Sequence, residues 1–342
     1  MTIKLKPIKD QVIAITGASS GIGLVTARAA ARQGAKVMLI ARSEEELGEI
    51  VRDINNAGGQ ADYAVADVAD PDAVVAAARA TVARFGRVDT WVNNAGVAIY
   101  AHLIDTPEDE HQQMFQTNYF GTVHGCLAAV PVLREQGGAL ITVGSIASDI
   151  PSPIMGAYAA TKHATKAYVQ ALRIELKEQA PTISVSLVKP AGIDTPIAQH
   201  AANHEGGEAQ IPPPVYDPQL VADAILDCAQ HPRREITVGG MGRAQVLFAE
   251  HFPALFEWLA PLTVPGLTDQ SKRQPGRSNL FDAVRAGEER SGEHPAAMKT
   301  SIYTSAMKHP GTVAAIGLGG LALAVGALVA RRGASPEADD QG

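Results

Sequence analysis

Short apolar runs alternate with longer amphipathic stretches through the first two thirds of the chain. The runs are rich in Val, Ile, Leu and Ala, which is typical of strands buried on both faces of a parallel sheet. Strands that alternate with helices predict βαβ units with right-handed crossovers. The sequence therefore predicts an α/β fold, a doubly wound parallel sheet of about seven strands flanked by helices. The predicted strands centre on residues 12–16, 36–41, 61–66, 88–92, 139–143, 183–188 and 235–238.

Composition narrows the class of protein. The chain has 342 residues and is 46% hydrophobic but only 5% aromatic, which suits one large α/β domain with extra segments. A formal net charge of −7 argues against a nucleic-acid partner. Cys126 and Cys228 have neither metal-binding nor disulfide-framework spacing, so we expect buried thiols in a reducing compartment.

A glycine-rich turn follows the first apolar run and precedes a segment of helical length. Glycines allow the backbone to approach a pyrophosphate, and a helix N-terminus supplies amides and a favourable dipole. The turn therefore favours dinucleotide binding over a plain loop. The residues that we expect to contact the cofactor here are Gly17, Ser19, Ser20, Gly21, Ile22 and Gly23.

The end of the second predicted strand bears on the choice of cofactor. Folds that bind NAD usually have an acid about 20 residues beyond the glycines, where it holds the ribose hydroxyls. This chain has Ala41 and Arg42 there. A guanidinium binds a 2′-phosphate that a carboxylate would repel, so the sequence predicts NADP rather than NAD.

Ser145, Tyr158 and Lys162 are the candidate reactive residues. Tyr158 and Lys162 are four residues apart, so on a helix they share one face. An ammonium near the phenol is expected to lower its pKa, which would make Tyr158 a proton donor and acceptor near neutral pH. Ser145 follows a buried strand, where a hydroxyl can hold a substrate oxygen. By itself, Tyr-x-x-x-Lys also fits an ordinary amphipathic helix.

Four elements in this order resemble the short-chain dehydrogenase/reductase family over about residues 8 to 240. They are the turn of residues 16–23, the run Asn93-Asn94-Ala95-Gly96, the Ser145/Tyr158/Lys162 set and residues 190–195. The resemblance implies a Rossmann-type fold and an NADP-preferring enzyme. The run Pro190-Ala191-Gly192 departs from the family's more usual Pro-Gly.

The resemblance also implies residue roles. Tyr158 would be the catalytic acid/base, Lys162 would bind the nicotinamide ribose and lower the Tyr158 pKa, and Ser145 would polarise the substrate oxygen. Asn118 would complete a proton relay through water, although a buried Asn in a helix is also read as a satisfied structural amide. The further cofactor contacts implied are Asp67, Val68, Asn94, Ala95, Gly96, Ile193 and Thr195.

The reaction implied is hydride transfer between NADP(H) and a carbonyl or secondary alcohol. The aromatic stripe in residues 246–262 suggests an apolar substrate, and His200 and His204 lack the context of metal ligands, so no metal is expected. A non-enzymatic NADP-binding module at a membrane is the alternative from another class. A sugar epimerase or dehydratase of the extended relatives is a second enzymatic alternative, although no separate sugar-nucleotide domain is visible.

The sequence after residue 262 predicts a linker, a membrane anchor and a polar tail. We expect a catalytic domain over residues 8–262, a partly disordered linker over 263–310 and a polar tail over 331–342, with Asn279 to Val284 able to dock on the domain. Residues 311–330 lack charge and are long enough to cross a bilayer as a helix. This predicts a membrane anchor with a cytoplasmic catalytic domain. The resemblance further implies a homo-oligomer formed through the helices that carry Asn118 and Tyr158.

Overall fold

The computed structural model describes residues 3–274, 277–284 and 287–308. Its strands, in chain order, are β1 (Val12–Thr16), β2 (Lys36–Ala41), β3 (Gln60–Val65), β4 (Thr90–Asn93), β5 (Ile99–Tyr100), β6 (Gly138–Val143), β7 (Ile183–Pro190), β8 (Ala202–Asn203), β9 (Glu208–Ala209), β10 (Glu235–Val238) and β11 (Thr268–Asp269). Its α-helices are α1 (Gly21–Arg32), α2 (Glu44–Asn56), α3 (Pro71–Phe85), α4 (Glu108–Phe115), α5 (Gly121–Arg134), α6 (Gly156–Gln179), α7 (Pro218–Gln230), α8 (Gly240–His251), α9 (Pro253–Leu259) and α10 (Ile302–Lys308).

Seven of these strands form one parallel sheet in the order β10-β7-β6-β4-β1-β2-β3. The chain builds β1, β2 and β3 outward in one direction and then returns to place β4 on the other side of β1. The strand order therefore reverses between β1 and β4, which is where open α/β sheets bind ligands at their carboxyl edge. The predicted fold class, a doubly wound parallel sheet of seven strands, is confirmed.

Helices cover both faces of the sheet, and each face has its own apolar core. One core is formed by the sheet with α1, α2 and α7, and includes Leu24, Leu47 and Ile225. The other is formed with α3, α5 and α6, and includes Leu133 and Val169. A strand covered on both sides must be apolar along its whole length, which explains the continuous Val, Ile, Leu and Ala runs.

Both cysteines are buried and unpaired, as expected, one in each core. Burial raises the pKa of each thiol to about 12, because a thiolate would lose its hydration there. Neither thiol is therefore expected to be reactive in the folded protein.

The helical stretch that carries Asn118 is interrupted. α4 ends at Phe115, residues Gln116–Phe120 form a π-helical turn, and α5 begins at Gly121. Such turns insert one residue into a helix and often lie at functional sites. Asn118 sits in the middle of this turn.

The chain beyond residue 262 makes many contacts with the domain where the structure describes it. β11 pairs with β9, Met298 N donates to Val215 O at 2.8 Å, and α10 packs on β10. These contacts place the described residues beyond 262 against distant segments of the domain. The predicted domain boundaries stay predictions.

Among residues 3–274, 277–284 and 287–308, no helix combines the length and apolarity needed to cross a membrane. The predicted span, residues 311–330, lies outside the described residues.

Two helical glycines should respond in opposite ways to a methyl group. A Cβ on Gly125 of α5 would overlap Asn93 Oδ1 and lie 3.1 Å from Trp91 Nε1, both in β4. A Cβ on Gly48 of α2 would meet only Arg52 Nη1, at 3.5 Å. We expect Gly125→Ala to lower the free energy of unfolding by about 1–3 kcal/mol through overpacking. Gly48→Ala should raise it by about 0.5–1 kcal/mol through helix propensity.

Urea unfolding of the two variants beside the parent chain measures this difference. An increase in stability for Gly125→Ala similar to that for Gly48→Ala would show that α5 does not depend on close approach to β4.

Candidate active site

The glycine-rich turn lies at the point where the strand order reverses. Gly17 and Gly21 have φ of +64° and +51°, in the left-handed region that favours glycine. A Cβ on Gly17 would come within 2.7 Å of Ala95 Cα, and one on Gly21 within 3.3 Å of Thr195. The turn is therefore pressed against the segments that follow β4 and β7, and its Gly21 amide donates to Glu288 O at 2.8 Å.

Hydrogen bonds join the carboxyl ends of β1 and β4. Asn94 Nδ2 donates to Thr16 O at 3.0 Å and to Gly17 O at 3.1 Å. The Thr16 hydroxyl accepts from the amides of Asn94 at 3.0 Å and Ala95 at 3.2 Å. These bonds form the floor of a cleft that runs along the carboxyl edge of the sheet.

Most of the predicted site residues line this one cleft. Gly23 and Asn118 are not in its wall among the described residues; Gly23 lies behind the turn, where a Cβ would overlap Gly17 O. The structure thus brings together residues that lie up to 178 positions apart in the chain. The predicted residues in the wall are Gly17, Ser19, Ser20, Gly21, Ile22, Arg42, Asp67, Val68, Asn94, Ala95, Gly96, Ser145, Tyr158, Lys162, Ile193 and Thr195.

Ser145, Tyr158 and Lys162 meet at the end of the cleft away from Arg42. Ser145 follows β6, and its Oγ accepts from Ala147 N at 3.1 Å. Tyr158 and Lys162 lie in the first two turns of α6. The Lys162 ammonium lies 5.5 Å from the centre of the Tyr158 ring and donates to Val143 O at 3.2 Å. The ammonium is therefore placed against the ring.

Burial decides the protonation of this pair. It raises the pKa of Tyr158 to about 12, with the nearby Ser145 hydroxyl acting in the opposite direction. It lowers the pKa of Lys162 to about 8, because a buried ammonium loses hydration. The direction of the Tyr158 pKa shift in the protein alone is opposite to the expected lowering, because loss of hydration outweighs the effect of the Ser145 hydroxyl.

Both the oxygen and the nitrogen of the Asn118 side chain form hydrogen bonds within the protein. Its Oδ1 accepts from Val97 N at 2.8 Å, and its Nδ2 donates to Val97 O at 2.9 Å and to Thr161 Oγ1 at 3.1 Å. The Thr161 hydroxyl in turn donates to Tyr158 O at 2.7 Å. Asn118 thus connects the segment after β4 to the turn of α6 that carries Tyr158.

Arg42 lies at the opposite end of the cleft and binds the C-terminal segment. Its Nη2 donates to Asn279 O at 2.6 Å and Asp282 O at 3.2 Å, and its Nη1 donates to Phe281 O at 3.0 Å. A guanidinium has five N–H donors, so these bonds leave the Nε–H and one Nη1–H to face other acceptors.

Several wall residues were not predicted as site residues. Asn279, Ala283 and Val284 form part of the wall beside Arg42, and Val97 and Thr117 form part of it beside Tyr158. No motif marks these positions, because each reaches the cleft through contacts with distant segments. The expected docking of residues 279–284 was the one signal that pointed towards the first three.

The comparisons with known proteins agree with this geometry. The family model described as "short chain dehydrogenase" matches residues 11–206. This chain belongs to the short chain dehydrogenase family. It is 40% identical over 322 residues, 92% of this chain and 90% of the relative, to the "Uncharacterized oxidoreductase YxnA" of Bacillus subtilis (strain 168).

Two solved structures have a similar fold. An alcohol dehydrogenase of the archaeon Thermococcus sibiricus, complexed with 5-hydroxy-NADP, is 28% identical with a TM-score of 0.59, over 67% of this chain and 95% of its own. A short chain dehydrogenase/reductase of Burkholderia phymatum, complexed with NAD, is 27% identical with a TM-score of 0.65, over 72% and 94%. The chain is thus an oxidoreductase of a family whose cofactor is a nicotinamide dinucleotide.

The buried Lys162 should lower the stability of the folded chain at neutral pH. Its pKa falls from 10.5 to about 8 on folding, so below pH 8 the folded state holds a buried charge at a cost of about 3 kcal/mol. That cost disappears as the pH rises from 8 to 10.5, where only the unfolded chain still binds the proton. We therefore expect Lys162→Met to raise the free energy of unfolding by about 2–3 kcal/mol at pH 7.

The advantage of Lys162→Met over the parent chain should shrink towards zero across that pH window. Urea unfolding without cofactor from pH 7 to 10 measures it. Lys177→Met, at an exposed position on the same helix, is the control. A less stable Lys162→Met at pH 7, or a difference independent of pH, would contradict the buried-charge account.

Proposed function

We propose that this chain catalyses hydride transfer between NADP(H) and the carbonyl or secondary alcohol of a small apolar molecule. One observation carries the proposal: Ser145, Tyr158 and Lys162 line one end of the cleft whose other end is formed by the glycine-rich turn and Arg42. A single extended ligand can therefore reach from an anion-binding helix N-terminus to a set of proton-transfer residues.

The cleft suits a dinucleotide. A side chain at Gly17 would collide with Ala95, so only glycine lets the turn lie this close to the end of β4. Because α1 begins at Gly21, the amides of its first turn have no partners within the helix. We expect this turn to hold the pyrophosphate and Asp67 and Val68 to flank the adenine. Asn94, Ala95, Gly96, Ile193, Thr195 and Lys162 would hold the nicotinamide half. When bound, the cofactor supplies the hydride at carbon 4 of its nicotinamide ring.

Tyr158 and Ser145 perform the proton chemistry. The Ser145 hydroxyl binds the substrate oxygen and stabilises charge that develops on it. In reduction the Tyr158 hydroxyl donates its proton to that oxygen, and a phenol with a raised pKa keeps the proton ready over the whole neutral range. In oxidation the phenolate is needed, and the Lys162 charge together with a positive nicotinamide ring would favour it.

Asn118 supports this set through positioning. Its bonds to Val97 and Thr161 hold α6 against the segment after β4, so the Tyr158 backbone is fixed relative to the cleft floor. Its further role in a proton relay through water stays a prediction.

NADP is favoured over NAD by the residues at the end of β2. Ala41 places no carboxylate beside the adenosine ribose, and the Arg42 guanidinium lies at the cleft edge with two N–H groups left for a phosphate. An apolar substrate is favoured because the wall near Tyr158 includes Val97, Val143 and Ile197.

The alternative, a non-enzymatic NADP-binding module, is not favoured, because such a module would not require Ser145 and Tyr158 to meet in the cleft. A homo-oligomer is supported by the exposed apolar side chains Phe120, Leu127 and Ile174 around α5 and α6, which are 39%, 63% and 68% exposed. Membrane anchoring through residues 311–330, with a cytoplasmic catalytic domain, stays a prediction.

Tyr158→Phe should separate binding from chemistry. Removal of one hydroxyl leaves the ring packing and the cofactor site intact, so we expect NADPH affinity within about threefold of the parent chain. Turnover of apolar ketones and aldehydes should fall by at least about a hundredfold, the usual contribution of a positioned acid. Fluorescence titration and NADPH oxidation rates measure the two effects. Unchanged turnover would refute the role of Tyr158.

Arg42→Ala should reduce the preference for NADPH over NADH. Loss of charge-assisted hydrogen bonds to a 2′-phosphate is worth about 1.5–3 kcal/mol, so the ratio of NADPH to NADH affinity should fall by about 10- to 100-fold. Arg52→Ala, at an exposed position on α2, is the control. An unchanged ratio of NADPH to NADH affinity would show that Arg42 does not bind the 2′-phosphate.

A further inference from the structure

Residues 277–284 and 287–291 lie across the mouth of the cleft. We call these residues the strap. Leu280 is completely buried in an apolar cluster with Val97, Ile99 and Met114, against which Tyr158 also packs. The buried Leu280 side chain therefore anchors the strap beside the Tyr158 end of the cleft.

Hydrogen bonds join the strap to both sides of the cleft. The three bonds from Arg42 to carbonyl oxygens of the strap hold it to the end of β2. Asn279 N donates to His200 O at 2.9 Å, on the segment after β7. Because β2 and β7 lie on opposite sides of β1 in the sheet, the strap spans the cleft from one side to the other.

The strap also lies over the glycine-rich turn. Gly21 N donates to Glu288 O at 2.8 Å, and Gly287 N donates to Ser19 O at 2.9 Å. Arg28 of α1 pairs with Glu289 at 2.8 Å. These contacts place strap backbone directly against the residues expected to hold the pyrophosphate.

The end of the strap is fixed outside the cleft. Arg290 donates to both carboxylate oxygens of Asp217, through Nη2 at 2.9 Å and Nε at 3.1 Å. Ser291 N donates to Asp194 Oδ1 at 3.2 Å. A bidentate guanidinium–carboxylate pair is among the stronger surface contacts. Substitution of Arg290 is therefore expected to loosen the strap without changing a residue of the cleft wall.

One polar atom of the strap has no partner among the described residues. Asn279 Oδ1 is buried and makes no hydrogen bond there, while Asn279 lines the cleft next to Ala283 and Val284. A buried amide oxygen without a partner costs about 1–3 kcal/mol, so its retention calls for a donor from a ligand. The amino group of adenine and the ribose hydroxyls are donors of this kind, and a flipped amide would instead present its NH₂ to their acceptors.

We propose that the strap is part of the dinucleotide site and closes over the adenosine–pyrophosphate half of the cofactor. Asn279 then binds the cofactor, and the Arg42 guanidinium holds the strap in its closed position. The strap forms part of the cleft wall, and beneath it the wall still runs from Arg42 to Tyr158. The Gly21–Glu288 bond occupies one amide of the turn, so it must open when a pyrophosphate binds there, whereas residues 277–284 are held by Arg42 and His200 and can stay in place as the cover. Arg42 then serves both the strap and the 2′-phosphate. The inference rests on the proposed function in requiring a dinucleotide in the cleft.

Cofactor release tests the strap. A cover must open before the cofactor leaves, so we expect Arg290→Gln to raise the dissociation rate constants of NADPH and NADH at least tenfold. Asn279→Ala should raise both at least fivefold. Stopped-flow displacement followed by nicotinamide fluorescence measures these rates on the full chain. The controls are Arg84→Gln, which breaks the exposed pair with Asp62, and Asn56→Ala, at an exposed position on α2.

The outcomes separate the strap from the choice of cofactor. Strap variants should change NADPH and NADH release by the same factor, whereas Arg42→Ala should change their ratio as well. Dissociation rates equal to those of the controls would overturn the inference. Tighter binding in the strap variants would also overturn it, because that result identifies a plug.

Hydrogen exchange on the unaltered chain gives a second readout that does not depend on the folding of variants. Saturating NADPH should slow exchange of the amides in residues 277–284 at least tenfold relative to the cofactor-free chain. Binding of NADPH without protection of these amides would overturn the inference alone. Failure of the unaltered chain to bind either cofactor would overturn the proposed function and the inference together.

Discussion

The contact between the ends of β1 and β4 is the constraint on which the site depends. The Thr16 and Asn94 hydrogen bonds hold these strand ends together, and Gly17 allows the turn to approach Ala95 to within a distance that excludes any side chain. If the turn moved outward, the N-terminus of α1 would no longer face the cleft. Ser145 after β6 and Tyr158 on α6 would then lie beside a turn whose amides no longer face the cleft.

Burial of Lys162 at the Tyr158 end of the cleft lowers the stability of the folded chain. Burial keeps Lys162 close to Tyr158 but lowers the pKa of the ammonium to about 8, which is a cost of folding at neutral pH. The Asn118–Thr161 bonds act in the opposite sense, since they provide partners for the Asn118 amide and the Thr161 hydroxyl, which join α6 to the segment after β4. A ligand that adds positive charge beside the phenol changes this balance, so the protonation of Tyr158 belongs to the complex rather than to the chain alone.

Arg42 has two sets of proposed partners, the cofactor and the strap. The same guanidinium that suits a 2′-phosphate also holds three carbonyl oxygens of the strap. Its planar group of five donors can satisfy both demands, whereas a lysine ammonium has only three. The proposed preference for NADP and the proposed closure of the cleft therefore involve the same side chain, and measurements on Arg42 variants alone do not separate them. Variants of Arg290 and Asn279 do.

The sequence by itself determined the features that depend on local pattern. The inner strands of the sheet follow from apolar runs that must be buried on both faces. The turn at Gly17 and Gly21 follows from a backbone shape that only glycine adopts easily. Ser145, Tyr158 and Lys162 were recognisable because their spacing reflects one strand end and one helix face. The tertiary structure alone decided the burial that sets the Tyr158 and Lys162 pKa values, the partners of Asn118 and the placement of Asn279 beside Arg42. These depend on contacts between segments up to 237 residues apart, and such contacts leave no periodic trace in the sequence.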